Sequence, residues 1–235
     1  MAVKSQGSSL YFLAPLGVPG LTEGSLIRIK CFKSFEMQRG QREQIPTTCL
    51  DEDVATFIAG IITPGPASYA LDVDNSIAGH WETNLLYEAG IAVDWVFGRA
   101  DGTAPPTTAR GVGSLLITSG GSGYTTAPVV VFTGGGGTGA AATAVVENGV
   151  VTGFTGLVAG SGYATAPAIT FTGGGGTLAA ATAALAFRIV PATSRTFDAF
   201  SGYVSDFPIS AAVGQALSAN ISIQISGKTT TTRKI

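Results

Sequence analysis

Apolar and polar residues alternate in short runs along much of the chain, a period of two that is typical of half-buried β-strands. Outside residues 111–187 the alternation predicts strands at 25–35, 67–73, 91–98 and 217–226, and apolar runs bounded by turn residues predict further strands at 3–12, 56–62 and 196–209. In the run at 25–35 the apolar register slips near Phe32, which predicts a β-bulge. The pattern therefore predicts a mainly β protein.

A helical period occurs in one segment, where apolar side chains recur at every fourth position. These residues are Ile77, Trp81, Leu85 and Ala89. Asn75 or Ser76 offers an N-cap before them, and Gly90 offers a C-cap after them. The spacing predicts one helix whose core-facing stripe consists of these four apolar residues.

Residues 36–53 have no apolar period and predict a long loop or a mobile hairpin arm. Polar and charged side chains dominate this segment. They are Glu36, Gln38, Arg39, Gln41, Arg42, Glu43, Asp51, Glu52 and Asp53.

A unit of 39 residues is written twice in the middle of the chain. Its anchors Tyr124, Pro128 and Phe132, followed by four glycines at 134–137, recur as Tyr163, Pro167 and Phe171, followed by glycines at 173–176. A fixed period is typical of tandem supersecondary units. Between Arg110 and Arg188 the only charged residue is Glu147, whereas the flanks carry charges at ordinary density. We therefore predict a surface-exposed repeat module at 111–187, inserted into one discontinuous domain made of 1–110 and 188–235.

The repeat module itself is predicted to be all β. Strands are expected near 115–118, 129–133 and 141–146, and again one period later. Asn148-Gly149 between two valine pairs is a strong signal for a two-residue hairpin turn.

The net charge of the chain narrows the range of functions that the sequence supports. The net charge is -2 and the isoelectric point about 5.3, whereas a nucleic-acid binder depends on clustered lysine and arginine. The basic residues here are scattered apart from a modest group, Arg28, Lys30, Lys33, Arg39 and Arg42.

No run approaches the roughly 18 apolar residues of a membrane helix, and the first ten residues lack a signal-peptide core. We expect a soluble protein that is not exported by the general secretory route.

No residue pattern typical of a catalytic or metal site occurs in the sequence. His80 is the only histidine, and its place next to Trp81 predicts a surface position on the helix. The glycine run after residue 133 lacks the lysine of a phosphate loop and has Ala140 instead. The carboxylates at 51–53 predict a solvated loop rather than a calcium site. We expect no enzymatic activity, no cofactor and no metal.

Several segments outside the repeats resemble the tail tube, or major tail, proteins of long-tailed, lambda-type bacteriophages. The segments are Lys4-Ser-Gln-Gly-Ser-Ser-Leu-Tyr, Gln44-Ile-Pro-Thr-Thr-Cys-Leu-Asp-Glu-Asp with Gly60-Ile-Ile-Thr-Pro-Gly, Trp95-Val-Phe-Gly-Arg-Ala-Asp-Gly-Thr, and Phe200-Ser-Gly-Tyr-Val-Ser-Asp-Phe-Pro-Ile. Their order and spacing are similar to the family throughout. The repeat module departs from it, because the family has a short loop at that place.

The resemblance implies an antiparallel β-sandwich or barrel with one flanking helix. It implies a structural virion protein that forms hexameric rings, which stack into a conduit for genome delivery. The long loop of the family, ordered upon stacking, would match residues 36–53. Implied partners are further copies of the chain and the tape measure, tail terminator and distal tail or baseplate proteins. Double-stranded DNA would pass through without specific binding, and the chain would assemble in the host cytoplasm before residing in the virion tail.

Two roles are open for the repeat module. It would point outward, where it either decorates and thickens the tube or adheres weakly to host glycans. The alternative for the whole chain is a fibre or adhesin that uses the repeats to bind glycans. Tyr124 and Tyr163 could stack on sugars, although packing onto the adjacent proline is the commoner role of such a tyrosine.

Overall fold

The computed structural model describes residues 6–47 and 54–235. The chain forms two compact units, which are described separately below. The first unit, called the body, comprises Met1–Thr107 and Pro191–Ile235, and the second, Thr108–Val190, keeps the name repeat module.

The chain consists mainly of antiparallel strands, which confirms the predicted fold class. Before the repeat module come β1 Ser9–Leu13, β2 Leu26–Ile29, β3 Phe32–Met37, β4 Gln41–Pro46, β5 Phe57–Thr63, β6 Pro66–Asp72, α1 His80–Ala89 and β7 Val93–Gly98. Then follow β8 Thr107–Ser122, β9 Val129–Thr133, β10 Thr138–Glu147, β11 Val150–Ser161, β12 Ala168–Thr172 and β13 Thr177–Val190. The body resumes with β14 Phe197–Asp206, β15 Ile209–Ser210 and β16 Ser218–Thr232.

The main sheet of the body has the strand order β2-β1-β7-β14-β16-β6-β3, and β15 adds to β16. Its two end strands, β2 and β3, are consecutive in the chain and are separated only by Lys30 and Cys31. Three Cα steps span at most about 11 Å. The two ends of the sheet therefore lie close together, and the sheet curls on itself around its core.

The predicted single strand at 25–35 is two strands. The chain turns between them at Cys31, whose φ of 58° is in the left-handed region, and the pairing of β3 with β6 shifts register between Phe32 and Ser34. The predicted irregularity near Phe32 is thus the point where the chain leaves one end of the sheet and enters the other.

Alternate side chains of the main sheet fill one apolar core around Trp95. Its ring lies 5.2 Å from that of Phe12 and 6.4 Å from that of Phe200, measured between centroids. The indole N–H donates a 3.0 Å hydrogen bond to the carbonyl oxygen of Gly202. Fully burying one large apolar side chain contributes about 2 to 3 kcal/mol. Fully buried neighbours in this core are Leu10, Phe12, Ile29, Tyr69, Leu71, Leu86, Ile221 and Ile223.

The helix begins later than its predicted caps. Its N-cap is Gly79, not Asn75 or Ser76, and the Glu82 carboxylate accepts a 2.8 Å hydrogen bond from the Gly79 N–H. Gly79 has a φ of 95°, and a Cβ there would lie 2.7 Å from the Cα of Ile29, so glycine is required. The predicted end at Gly90 is confirmed by its left-handed cap conformation.

The predicted core stripe of the helix is wrong. The buried face consists of His80, Thr83 and Leu86, while Trp81 is 48% exposed. Ala89 is exposed, and Ile77 and Leu85 are half-buried. The phenol of Tyr69 donates to the Thr83 hydroxyl at 3.0 Å, and this buried polar contact, together with the packing of Leu86 into the core, sets the rotation of the helix.

His80 is buried, which corrects the predicted surface position. Its Nδ1 accepts a hydrogen bond from the Asp74 N–H at 3.1 Å, so Nε2 is left to donate to the Lys30 carbonyl oxygen at 2.8 Å. The histidine thereby ties the start of the helix to the turn between β2 and β3.

Candidate assembly surfaces

Strands β4 and β5 form a two-stranded antiparallel sheet separate from the main sheet, and we call this hairpin the arm. It begins at Gly40, whose φ of 89° and whose close approach to Thr63 require glycine. Thr47 donates to the Thr56 carbonyl oxygen at 2.9 Å where the described part of the arm ends. The described part of the predicted segment 36–53 thus contributes the first strand of a hairpin, β4, which is mainly polar, and the second strand, β5, falls at the strand predicted at 56–62.

Large apolar side chains of the arm are exposed to solvent. Their exposed fractions run from 46% at Ile45 to 76% at Ile61. The others are Phe57, Ile58 and Ile62. A two-stranded hairpin is marginally stable in water, and an exposed apolar strand is a template for association. The arm therefore has the surface of an element that becomes covered by another protein surface.

The structure places the predicted contact residues in three environments. Glu36 belongs to β3 and lies opposite Ser68 of β6, so it is part of the main sheet rather than of the arm. Gln38 and Arg39 form the base of the arm, and Gln41, Arg42 and Glu43 lie on β4. Asp51, Glu52 and Asp53 lie outside the described residues.

The base of the arm is fixed to the body by a buried carboxylate that the sequence analysis missed. Asp198, 4% exposed, accepts hydrogen bonds from Arg39 at 2.7 Å, from Arg99 at 2.8 and 3.1 Å, and from the Thr231 hydroxyl at 2.6 Å. Arg39 and Asp198 are far apart in sequence, so no local spacing signalled the pair.

The electrostatics of this site favour the charged carboxylate. Burial alone disfavours the charge of Asp198, but hydrogen bonds from Arg99 and Thr231 and the charges of Arg99 and Arg39 outweigh it. The pKa of Asp198 therefore lies below its ordinary value, and the carboxylate holds the arm base at neutral pH.

The two copies in the repeat module are related by a local two-fold axis. Strand β9 of the first copy pairs antiparallel with its counterpart β12, and Val131 lies opposite Thr170, its own equivalent 39 positions later. The outer strands are exchanged, because β10 pairs with β11 and β13 pairs with β8. Each copy therefore completes the sheets of the other.

The tyrosine turn of each copy lies on the four glycines of the other copy. Ala164, next to Tyr163, donates to the Gly135 carbonyl oxygen at 2.8 Å, and Thr125, next to Tyr124, donates to that of Gly174 at 2.9 Å. Both tyrosine rings are buried, at 4% and 5% exposure. Pro128 and Pro167 are buried and Phe132 and Phe171 half-buried, so these side chains belong to the interior of the module.

This contact explains the glycine runs. The first three glycines of each run have φ between 74° and 80°, a conformation that favours glycine. The fourth, Gly137 or Gly176, has no such φ, but a Cβ there would collide with the ring of the opposite tyrosine. Three glycines are thus required by backbone conformation and the fourth by close approach.

Within residues 6–47 and 54–235, no three histidine, cysteine or carboxylate side chains converge as a metal site would require. In the same part of the chain, no helix is both long and apolar enough to cross a membrane.

Two comparisons with known proteins agree with each other. A family model described as "Phage tail tube, TTP, lambda-like" matches residues 1–235. "Structural protein 3" of Pseudomonas phage PAJU2 is 34% identical over 105 residues, which cover 45% of this chain and 60% of that protein. The match to this relative thus spans less than two thirds of its length.

Proposed function

The chain belongs to the lambda-like phage tail tube family, and from that premise we propose that its copies form hexameric rings that stack into the conduit for the phage genome. It is a structural protein of the phage tail. The hexameric ring, the stacking of rings and the role as a conduit are the parts of this function that we propose. Tape measure, tail terminator and distal tail or baseplate proteins are the proposed neighbours, and host cytoplasm is the proposed place of assembly.

The arm supports this proposal most directly. Its exposed Ile45, Phe57, Ile58, Ile61 and Ile62 are suited to a partner surface, and further copies of the chain are the partner that a stacked tube supplies in excess. The Arg39–Asp198 pair holds the base of the arm in place before any partner arrives. Preordering of this kind lowers the entropic cost of each contact.

The weak net charge supports passage of DNA without binding. A chain of net charge -2 lacks the surplus of cations that would hold phosphates tightly. A conduit that adhered to DNA would slow its passage.

Electron microscopy of the purified chain at rising concentration tests the proposal. We expect rings and tubes with a central channel about as wide as a DNA duplex. The double variant Ile58→Asp/Ile61→Asp should remain folded but form no tubes, because it places charges on the exposed apolar surface of the arm. Leu16→Asp is the matched control, since Leu16 is 74% exposed but belongs to a loop of the body. Wild-type chain that stays monomeric at every concentration would refute the proposal.

For the repeat module we propose an outward, decorating role rather than glycan adhesion. Both tyrosines that could stack on a sugar are buried against glycines, so their ring faces are occupied. The charge-poor module has only Arg110, Glu147 and Arg188 as charged residues within Thr108–Val190.

A deletion tests this role. Strands β8 and β13 pair, and a Cβ at Gly113 would lie 3.5 Å from the Cα of Ala186. An Asn-Gly turn can therefore join Val112 to Phe187 and remove the intervening residues. We expect thinner tubes of unchanged channel width. Loss of tubes would show that the module is required for assembly, and glycan binding by the wild type alone would favour adhesion.

A further inference from the structure

A groove of about 650 Å³ lies where the two ends of the main sheet meet; we call it the seam groove. Its lining combines cationic and aromatic side chains, Arg28, Lys30 and Lys33 with Phe32, Phe35 and Phe97. Lys33 forms a 2.6 Å ion pair with Asp72. Arg28 and Lys30 have no ion pair among the described residues, and no described acidic side chain lines the groove. The seam groove is therefore a cationic site with apolar walls.

The groove also lies beside two strand edges. In the described part of the chain β2 pairs with β1 alone and β3 with β6 alone, which makes them the ends of the sheet order. Next to β2, Lys30 already pairs through its N–H with Ala78 and through its carbonyl oxygen with His80. The edge of β3 is therefore the one that can pair with an added extended segment. The site thus suits an extended peptide with acidic and apolar side chains better than a compact ligand.

We propose that the seam groove binds the acidic segment Leu50-Asp-Glu-Asp-Val54 from the arm of a second copy of this chain. This segment holds the densest acidic run in the sequence and has an apolar residue at each side. Its carboxylates match Arg28 and Lys30, and its Leu50 and Val54 match the phenylalanine walls. The inference rests on the proposed self-assembly and names a receptor for the arm within it.

The described residues favour a second copy over the same copy. Strand β3 lines the groove from Phe32 to Phe35 and ends at Met37 beside the base of the arm. Beyond that base, the six residues of β4 extend over about 20 Å. Thr47 and Thr56, which bracket the acidic segment in sequence, pair at the opposite end of the arm from Gly40.

A peptide also fits better than nucleic acid. Base stacking requires free aromatic faces, but the rings of Phe35 and Phe97 stack on each other at 4.3 Å with an interplanar angle of 14°. Two unpaired cations on a chain of net charge -2 also neutralise few phosphates.

A binding assay in solution tests the site without requiring tubes. The probe is a fluorescent peptide of residues 47–56 with serine in place of Cys49. The receptor is the full chain carrying Asp51→Asn, Glu52→Gln and Asp53→Asn, so that its own arm cannot compete. We expect saturable binding that weakens in 0.5 M salt and falls about tenfold in the receptor that also carries Arg28→Gln/Lys30→Gln. Arg188→Gln/Lys228→Gln, which removes two exposed cations outside the groove, is the control and should leave affinity unchanged.

Three outcomes would overturn the inference. They are equal binding of a peptide with Asn and Gln at 51–53, affinity unaffected by Arg28→Gln/Lys30→Gln, or groove-dependent binding of short duplex DNA with no binding of the peptide. Each would show that charge pairing with this segment is not what the groove provides.

Reversing the charges of the groove and of the acidic segment tests whether the seam groove is needed for tube assembly. Arg28→Glu/Lys30→Glu should abolish tubes, and adding Asp51→Lys/Asp53→Lys in the same chain should restore them. Tubes that form normally in the Arg28→Glu/Lys30→Glu variant would overturn the inference and leave the proposed function intact. If the wild type forms no tubes, the proposed function fails, while the peptide assay still decides whether the groove binds the segment.

Discussion

The body and the repeat module reach stable β-sheets by opposite means. The body surrounds Trp95 with large apolar side chains, so most of its stability comes from area removed from water. The repeat module buries few large side chains, Tyr124, Tyr163, Val130 and Val151 among them. Its copies instead meet through glycine backbone, where a single added methyl group would collide with a ring. In the body, stability depends on side-chain size, and in the repeat module on the absence of side chains.

The first and largest test of this difference is Trp95→Ala. We expect the free energy of unfolding of the body to fall by about 4 kcal/mol, because the substitution leaves a cavity and an unpaired Gly202 carbonyl. Denaturant unfolding followed by circular dichroism measures the loss. Trp81→Ala is the control and should cost under about 1 kcal/mol, since Trp81 is half-exposed on the helix. Equal losses would mean that the predicted helix stripe, with Trp81 inward, was right after all.

The second test adds one methyl group to the repeat module. Gly137→Ala should lower local stability by about 2 kcal/mol, because the Cβ displaces the Tyr163 ring. Gly176→Ala should match it, since Gly176 meets Tyr124 in the same way. Hydrogen exchange of module peptides, read by mass spectrometry, reports the change.

Gly153→Ala is the control for the methyl group. A Cβ at Gly153 has no heavy atom within 4 Å and its φ is not in the left-handed region, so we expect a change within about 0.5 kcal/mol. If Gly137→Ala behaves like Gly153→Ala, the packing of tyrosine on glycine does not hold the module together.

The sequence predicted some of the features tested above and not others. Period-two alternation is clearest where a strand has one buried and one more exposed face, as in β6, β14 and β16. The Asn148-Gly149 hairpin is confirmed, with Glu147 opposite Val150 and both turn residues at positive φ. The exchange of strands between the copies was not predictable, because a repeat shows that two units are equivalent but not which strands pair.

The misses share a physical cause. Strand β4 lacks an apolar period because both of its faces meet solvent, and it is a strand only because it pairs with β5. The helix face was misassigned because Thr83 and His80 are buried through hydrogen bonds. Asp198 was missed because its cations come from Arg39 and Arg99, distant in the chain. Apolar patterns do not report contacts that polar groups make.

The third test uses acid, to which the two units should respond differently. The folded-state pKa of Asp198 is depressed, so its contribution to the body is complete above the unfolded pKa, about 3.9, and is lost as pH falls through the lower folded value. The repeat module, whose only carboxylate is Glu147, should keep its stability over the same range. Hydrogen exchange of both units between pH 3 and pH 6, corrected for intrinsic rates, compares them.

Substitution of Asp198 sharpens the acid test. Asp198→Asn should cost the body about 1 to 2 kcal/mol at pH 7, reduced from a fully buried pair because Arg39 and Arg99 are partly exposed. The variant should also lose part of the dependence on acid pH. Asp72→Asn is the control, since its pair with Lys33 is exposed and should contribute under about 0.5 kcal/mol. An unchanged acid profile in Asp198→Asn would assign the acid sensitivity to other groups.

The smallest expected effect has the opposite sign and comes from a difference between the copies. Leu178 has a φ of 67° and is 82% exposed, while its counterpart Gly139 has a φ of 77°. A leucine in this conformation costs about 1 kcal/mol and gains little from burial here. Leu178→Gly should therefore raise local stability by up to about 1 kcal/mol, and Gly139→Leu should lower it by a similar amount.

Leu116→Gly, at another exposed leucine but without positive φ, should destabilise its strand by about 0.5 to 1 kcal/mol, as glycine ordinarily does. Hydrogen exchange of the three variants decides the sign. If Leu178→Gly destabilises the module as Leu116→Gly does, backbone handedness does not explain why the module is so rich in glycine.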